Sequence, residues 1–210
     1  MSIADLRQES VRAGLSEAGA HADPFVQFER WFNDALAAQL PLANAMTLAT
    51  VSPEGAPDAR AVLLKGVDGG GFVFYTNYDS RKGRQLAARA AAYLVFLWAP
   101  LERQIRIEGA VEKVSPAESD TYFLSRPVGA RLSARASAQS ELVPDRGFLE
   151  RALRKEKHLH GENPPRPPHW GGYRVIPTRF EFWQGRENRL HDRLQYSLDR
   201  GTWKIERLAP

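Results

Sequence analysis

Residues 93–114 read Tyr-Leu-Val-Phe-Leu-Trp-Ala-Pro-Leu-Glu-Arg-Gln-Ile-Arg-Ile-Glu-Gly-Ala-Val-Glu-Lys-Val, and their pattern decides the fold. Residues 93–98 are all apolar or aromatic, the composition of a buried strand. From Gln104 the pattern alternates, with Ile105, Ile107 and Val111 on one side and Gln104, Arg106 and Glu108 on the other. A period of two marks a half-buried strand. A short connection between two such runs predicts antiparallel neighbours.

Working outward, residues 45–51, 59–66 and 72–76 also have strand composition. They are separated by the turns Ser52-Pro53-Glu54-Gly55 and Asp68-Gly69-Gly70-Gly71. Four more strands are expected at 173–176, 179–183, 189–196 and 202–208, with Asp199-Arg200-Gly201 as the turn of the last hairpin. Helices fall between and before them. Asp23 caps one and Pro24 starts it, with Phe25, Phe28, Phe32 and Leu36 following at helical spacing. These aromatics suit a core better than a cofactor. Asp79 or Ser80 opens a second helix reaching residue 90. Ser115-Pro116-Ala117-Glu118 is a capping box, and Asp145 caps a helix reaching residue 160. Residues 127–144 read as irregular, and Pro164, Pro165, Pro167 and Pro168 as an extended linker. The expected class is mainly β with flanking helices (α+β), an antiparallel sheet curled into a barrel rather than a doubly wound sheet. Residues 1–22 read as a flexible N-terminal segment and 23–210 as one domain.

A chain of 210 residues can bury a core of its own. It has no cysteine, so disulfides and thiolate metal sites are excluded. No apolar run is long enough to span a bilayer, and the start lacks the basic-then-apolar order of a secretory signal. The expected location is therefore the cytoplasm. The net charge of +4 is compatible with anionic partners. Its cations are scattered among apolar strands rather than gathered in a stripe, which argues against nucleic acid and leaves small anions.

Four clusters suit an anion. Ser80-Arg81-Lys82 puts cations in a first helical turn, where they oppose the helix dipole unless an anion sits there. Arg60 and Lys65 bracket the apolar run Ala61-Val62-Leu63-Leu64. On one strand they would face opposite sides. Arg189, His191 and Arg193 would share a strand face, either towards an anion or as a charged edge guarding against aggregation. Tyr122 and Arg126, four apart, offer a hydroxyl and a guanidinium on one helical face. Taken singly, each has an ordinary surface explanation. There is no P-loop, G-x-G-x-x-G, H-E-x-x-H or G-x-S-x-G. His158 and His160 are wrongly spaced for one metal on a helix, so no metal site is expected.

The ordered set of motifs resembles the pyridoxine/pyridoxamine 5′-phosphate oxidase family. It comprises Arg60 to Lys65, Phe74-Tyr75-Thr76-Asn77, Ser80-Arg81-Lys82, Leu101-Glu102-Arg103-Gln104, Ser125-Arg126-Pro127 and Gln139-Ser140. Trp170-Gly171-Gly172-Tyr173, Glu181-Phe182-Trp183-Gln184-Gly185, Asn188 to Arg193 and the terminal Glu206-Arg207-Leu208-Ala209-Pro210 complete it. The resemblance implies a split β-barrel homodimer with FMN at the subunit interface. It oxidises pyridoxamine or pyridoxine 5′-phosphate to pyridoxal 5′-phosphate, with O2 as acceptor and H2O2 as product. It assigns Arg60, Ala61, Val62, Leu63, Leu64, Lys65, Tyr75, Thr76, Ser80, Arg81 and Lys82 to FMN from one subunit. Gln104, Gln139, Ser140, Trp183 and Arg193 would come from the other. Lys65, Tyr122 and Arg126 would meet the substrate phosphate. Arg189 and His191 would lie over the pyridine ring as the catalytic pair, and Arg7 would close the site.

Four residues depart from the family pattern. Ser10 stands where a Tyr is common, Ala130 where a phosphate-binding Ser is common, and Ser133-Ala134-Arg135 where Gly-Ala-Trp is usual. A lost hydroxyl ligand weakens phosphate binding by roughly 1 kcal/mol, which Arg131 or Arg135 could offset. Two alternatives stay open: a related split-barrel flavin oxidase acting on another substrate, such as a phenazine precursor, and a non-catalytic binder of FMN or pyridoxal phosphate.

Overall fold

The computed structural model describes residues 14–68 and 70–210. Its strands are β1 (Ala45–Val51), β2 (Pro57–Leu63), β3 (Gly66–Asp68), β4 (Gly71–Asn77), β5 (Ala91–Trp98), β6 (Arg103–Lys113), β7 (Trp170–Gln184), β8 (Asp192–Asp199) and β9 (Thr202–Arg207). Its helices are α1 (Pro24–Ala37), α2 (Arg81–Ala88), α3 (Pro116–Ser125), α4 (Val128–Ala136) and α5 (Arg146–His160). No helix among the described residues is long and apolar enough to cross a membrane.

All strand pairings are antiparallel, in the order β2-β1-β5-β6-β7-β4-β3, with β8 on β7 and β9 on β8. The hairpin of residues 93–114 is central: β5 and β6 pair from Ala91↔Ala110 to Trp98↔Arg103. The sheet curls because one strip of chain serves both of its ends. β2 runs along β1 as far as Leu63. The Leu64 N–H then donates to Asn44 O, and the Lys65 N–H donates to Val73 O on β4, where β3 continues the pairing. The barrel closes through residues 57–68 and stays split between β2 and the far half of β4. Asp199 and Thr202 face each other across a two-residue turn with Arg200 and Gly201 at φ 49° and 82°, the left-handed pair that suits a tight hairpin.

The inner face is aromatic. Phe72, Phe74, Phe96, Phe180, Phe182 and Tyr196 are fully buried with Leu48, Leu94, Ile105 and Ile107. α1 lies against them. Asp23 Oδ1 accepts from the Phe25 N–H, and Pro24 occupies the first turn. Phe28 meets Phe72 and Phe96 edge-on, and Trp31 meets Phe182. The buried stripe is Pro24, Phe28, Trp31 and Ala35, so Leu36, expected inside, is exposed.

The structure corrects several sequence expectations. The expected strand 59–66 is two strands joined by a switch of partner at Leu64 and Lys65. Residues 127–144 contain α4, which packs on α5 and buries Arg131 and Leu132. The expected strands 173–176 and 179–183 are one, because Pro177 pairs with Gly109 where the β6–β7 register shifts. Arg126 follows α3 in extended conformation rather than riding on it. Arg189 is not on β8. It ends a short 3-10 turn with φ 59°, and His191 also precedes β8, so of the expected trio only Arg193 lies on the strand. Residues 14–22 lie against the body: Leu15 is buried, its N–H donates to Asp192, and His21 O accepts from the Tyr196 hydroxyl.

Candidate functional site

The split between β2 and β4 is a cavity of about 600 Å³. β2 and the switch lend it Arg60, Ala61, Val62, Leu63 and Lys65. β4 lends Tyr75, Thr76 and Asn77, and α2 lends Lys82. Tyr122, Arg126, Trp170 and the inner face of α4 (Ala130, Ser133, Ala134), followed by Ser137 and Gln139, form the opposite wall. Although Arg60 and Lys65 are an odd number apart, both reach this one cavity, because the chain turns between them.

One end is built around Lys82. Ser80, fully buried, caps α2: its Oγ accepts from the Gly83 N–H and donates to Asn77 O. This fixes the first turn and brings Lys82 inward. The Lys82 ammonium donates to Gln139 Oε1 at 3.0 Å, Thr76 Oγ1 at 3.2 Å and Ser80 Oγ at 3.4 Å, all neutral. Burial and then the Arg60 charge hold its pKa below the ordinary lysine value. A buried cation with neutral partners beside a second cation is a place for an anion. Arg60 is braced from behind. Its Nη1 donates to Leu48 O and to Thr50 Oγ1 at 2.6 Å, and its Nη2 to Gln85 Oε1 and Asp58. That uses four of the guanidinium's five N–H groups. Arg60 therefore supplies the cavity with charge and one N–H.

The other end is aromatic and cationic. Tyr75 stacks on Tyr122 with centroids 3.9 Å apart, and both rings lie nearly parallel to Trp170. Gly172 permits this, since a Cβ there would run into the Tyr75 ring and Val114. Burial, with help from Glu118, pushes the Tyr75 pKa up to about 12, so its phenol stays protonated. Arg126 lies 4.7 Å over Trp170. Its Nη1 is buried without a hydrogen-bond partner, and burial lowers its pKa. It has no carboxylate partner among the described residues.

Several expected residues lie elsewhere. Leu64 is buried and turns towards a separate apolar cleft beside α1. Ser80 acts as the cap described above, while Arg81 and Ser140 are exposed. Gln139, expected from the opposite subunit, here bonds Lys82 of its own chain. Gln104, Trp183 and Arg193 do not line the cavity. They form a cross-strand row on the outer face of the sheet, through Gln104↔Trp183 and Trp183↔Arg193. His191 packs on Trp183 at 4.6 Å, and its Nδ1 accepts from the Arg186 N–H. Arg193 pairs with Glu181 at 2.9 Å, a carboxylate it shares with Arg106. Arg189 is exposed beside this row. Arg7 and Ser10 lie outside the described residues. The cavity residues Asn77, Ser133, Ala134, Ser137 and Trp170 had no assigned role, although Asn77 and Trp170 stood within the family-like motifs.

Comparison with known proteins gives consistent matches. The family described as "Pyridoxamine 5′-phosphate oxidase" matches residues 32–160, and "Pyridoxine 5′-phosphate oxidase C-terminal dimerisation region" matches residues 170–210. The pyridoxine/pyridoxamine 5′-phosphate oxidase of Bordetella petrii is 60% identical, covering 100% of both chains. That of Burkholderia lata is 58% identical, covering 100% of this chain and 99% of its own. Among solved structures, PhzG from Burkholderia lata 383 in complex with tetrahydrophenazine-1-carboxylic acid superposes with a TM-score of 0.90. It is 32% identical and covers 96% of this chain and 100% of its own. A pyridoxamine 5′-phosphate oxidase-related, FMN binding protein from Nostoc punctiforme shares the fold at a TM-score of 0.70 and 20% identity. It covers 87% of this chain and 97% of its own.

Proposed function

Because the chain belongs to the pyridoxine/pyridoxamine 5′-phosphate oxidase family, we propose that it binds FMN and oxidises pyridoxamine or pyridoxine 5′-phosphate to pyridoxal 5′-phosphate. The carrying observation is that one cavity holds two places suited to phosphate. One is the buried Lys82 with only neutral partners; the other is Arg126 with its unpartnered buried Nη1 beside Tyr122. A cofactor phosphate and a substrate phosphate call for two such places.

Lys82, Thr76, Gln139 and the charge of Arg60 would hold the FMN phosphate. Lys65, Tyr122 and Arg126 would hold the substrate phosphate and so fix the pyridine ring. The chemistry FMN supplies when bound is two-electron oxidation at the substrate's C4′ carbon, with O2 as the final acceptor. For the alcohol, substrate and O2 give aldehyde and H2O2. For the amine, one water is consumed and ammonia released as well. Arg189 and His191 would orient the ring from the far side and stabilise charge developing there.

The protein would work as a homodimer. The outward residues of β2, β1 and β5 include Ala59, Ala61, Leu63, Ala45, Val95 and Leu97, an apolar patch on a sheet face. It adjoins the row of Gln104, Trp183 and Arg193, so a second copy docked there would bring that row to the first copy's cavity.

A second reading, oxidation of a phenazine precursor, draws on the similarity to PhzG. Identity to two proteins of Burkholderia lata weighs against it: 58% to the phosphate oxidase and 32% to PhzG. Anaerobic mixing of the FMN-loaded protein with pyridoxine 5′-phosphate separates the two. Bleaching of the flavin band that recovers in air supports the phosphate oxidase. A band that bleaches only with tetrahydrophenazine-1-carboxylate supports the second reading.

A further inference from the structure

Arg126 is a half-buried cation whose Nη1 is fully enclosed, and no carboxylate among the described residues holds it. Its backbone leaves α3 in extended form, and its N–H donates to Phe123 O at 3.2 Å. The guanidinium carbon lies 4.7 Å from the centre of the Trp170 ring and 5.9 Å from that of Phe123. Trp170 is itself fixed. It is 6% exposed, Phe123 meets it edge-on at 5.1 Å, and its carbonyl accepts from Arg166 Nη1 at 2.7 Å. Its plane lies within 5° of Tyr122 and 12° of Tyr75.

We propose that Trp170 is the positioning residue of the phosphate-recognising end of the cavity: its indole face holds the Arg126 charge in place of a carboxylate. The proposal rests on the function given above and assigns Trp170 a role there. An aromatic face attracts a cation through its quadrupole yet occupies none of its N–H groups. A carboxylate in the same place would satisfy the guanidinium and compete with an incoming phosphate. Trp170 therefore orders Arg126 before substrate arrives and leaves its donors available. The parallel Tyr122 ring places a hydroxyl-bearing residue against the same wall, so one indole sets both groups.

The test compares wild type with Trp170→Phe and Trp170→Leu, each reconstituted with FMN, on pyridoxine 5′-phosphate and on pyridoxine. In Trp170→Leu, KM for the phosphorylated substrate should rise roughly tenfold, the scale of a desolvated cation–π contact, while kcat falls much less. Discrimination between the two substrates should shrink by the same factor. Trp170→Phe should recover part of the loss, since a benzene ring is a weaker but real cation face, and this variant also guards against a mere folding defect. Equal losses on both substrates, or an unchanged KM in Trp170→Leu, would overturn the proposal while the function stands. A wild type that oxidises neither substrate would overturn both.

Discussion

The Lys82 ammonium donates to Gln139 Oε1 at 3.0 Å, joining the first turn of α2 to the segment after α4 across 57 residues of chain. No carboxylate completes this contact, and burial already pulls the Lys82 pKa down. The ammonium is thus poised for an anion, and its charge should dominate cofactor affinity.

Lys82→Met should weaken FMN binding by roughly ten- to a hundredfold, the scale of a lost charge-assisted hydrogen bond. Titration of apoprotein with FMN, followed by flavin fluorescence, reads this directly. The pH dependence has a definite sign. A depressed lysine pKa means that the charged form is lost at lower pH than usual. Wild-type affinity should therefore hold through neutral pH and start to fall before the ordinary lysine value of 10.5 is reached. Lys82→Met should lack that decline, and the same steep decline in the variant would count against Lys82 as its source.

Behind Arg60, Thr50 Oγ1 accepts from the guanidinium at 2.6 Å and donates to Gln85 Oε1 at 2.6 Å. Thr50 is 2% exposed, so Thr50→Val keeps the shape and removes both bonds. We expect a loss of about 1–3 kcal/mol in stability, read as a lower urea midpoint at unchanged slope. FMN affinity should fall several-fold as Arg60 loses its brace. An unaltered midpoint would mean that the two hydroxyl bonds contribute nothing net to stability.

Ala130 lines the cavity one helical turn before Ser133 and near Arg126. Ala130→Ser should add a hydroxyl to the phosphate end and lower KM for pyridoxine 5′-phosphate about fivefold, for a gain of about 1 kcal/mol. KM for unphosphorylated pyridoxine should not change. If both fall together, the hydroxyl acts on the ring rather than the phosphate.

Local signals in the sequence survived well, because their physics is local. The Asp23, Ser80, Ser115 and Asp145 caps each accept the expected backbone N–H. The alternation of Ile105 and Ile107 with Arg106 marked a strand whose register depends only on its burial. Features set by distant partners were not legible. Pro177 reads as a strand breaker until Gly109 and the shifted β6 register accommodate it. α4 is rich in helix formers but short, with Pro127 at its start and no capping side chain to mark it, and it is held by packing on α5. The placing of Arg60 and Lys65 in one cavity depends on the hydrogen bonds of Leu64 to Asn44, just before β1, and of Lys65 to Val73 on β4. The grouping of the site residues came from the family resemblance; their spacing alone left each cluster with an ordinary explanation.

The row formed by Gln104, Trp183 and Arg193 faces away from the chain's own cavity, which makes the two halves of the proposed site separable. Lys82→Met damages the cavity half and Arg193→Ala the row half, so at FMN concentrations near the wild-type Kd each variant alone should have little activity. A mixed dimer of the two has one site with both lesions and one with neither. Random mixing makes about half of all dimers mixed, so co-refolded variants should regain roughly a quarter of wild-type activity. FMN content should recover in step, which excludes a gain from folding alone. If each subunit instead completed its own site, every site in the mixture would keep one lesion and no activity would return. Recovery after mixing two inactive proteins therefore decides whether the row serves the neighbouring cavity.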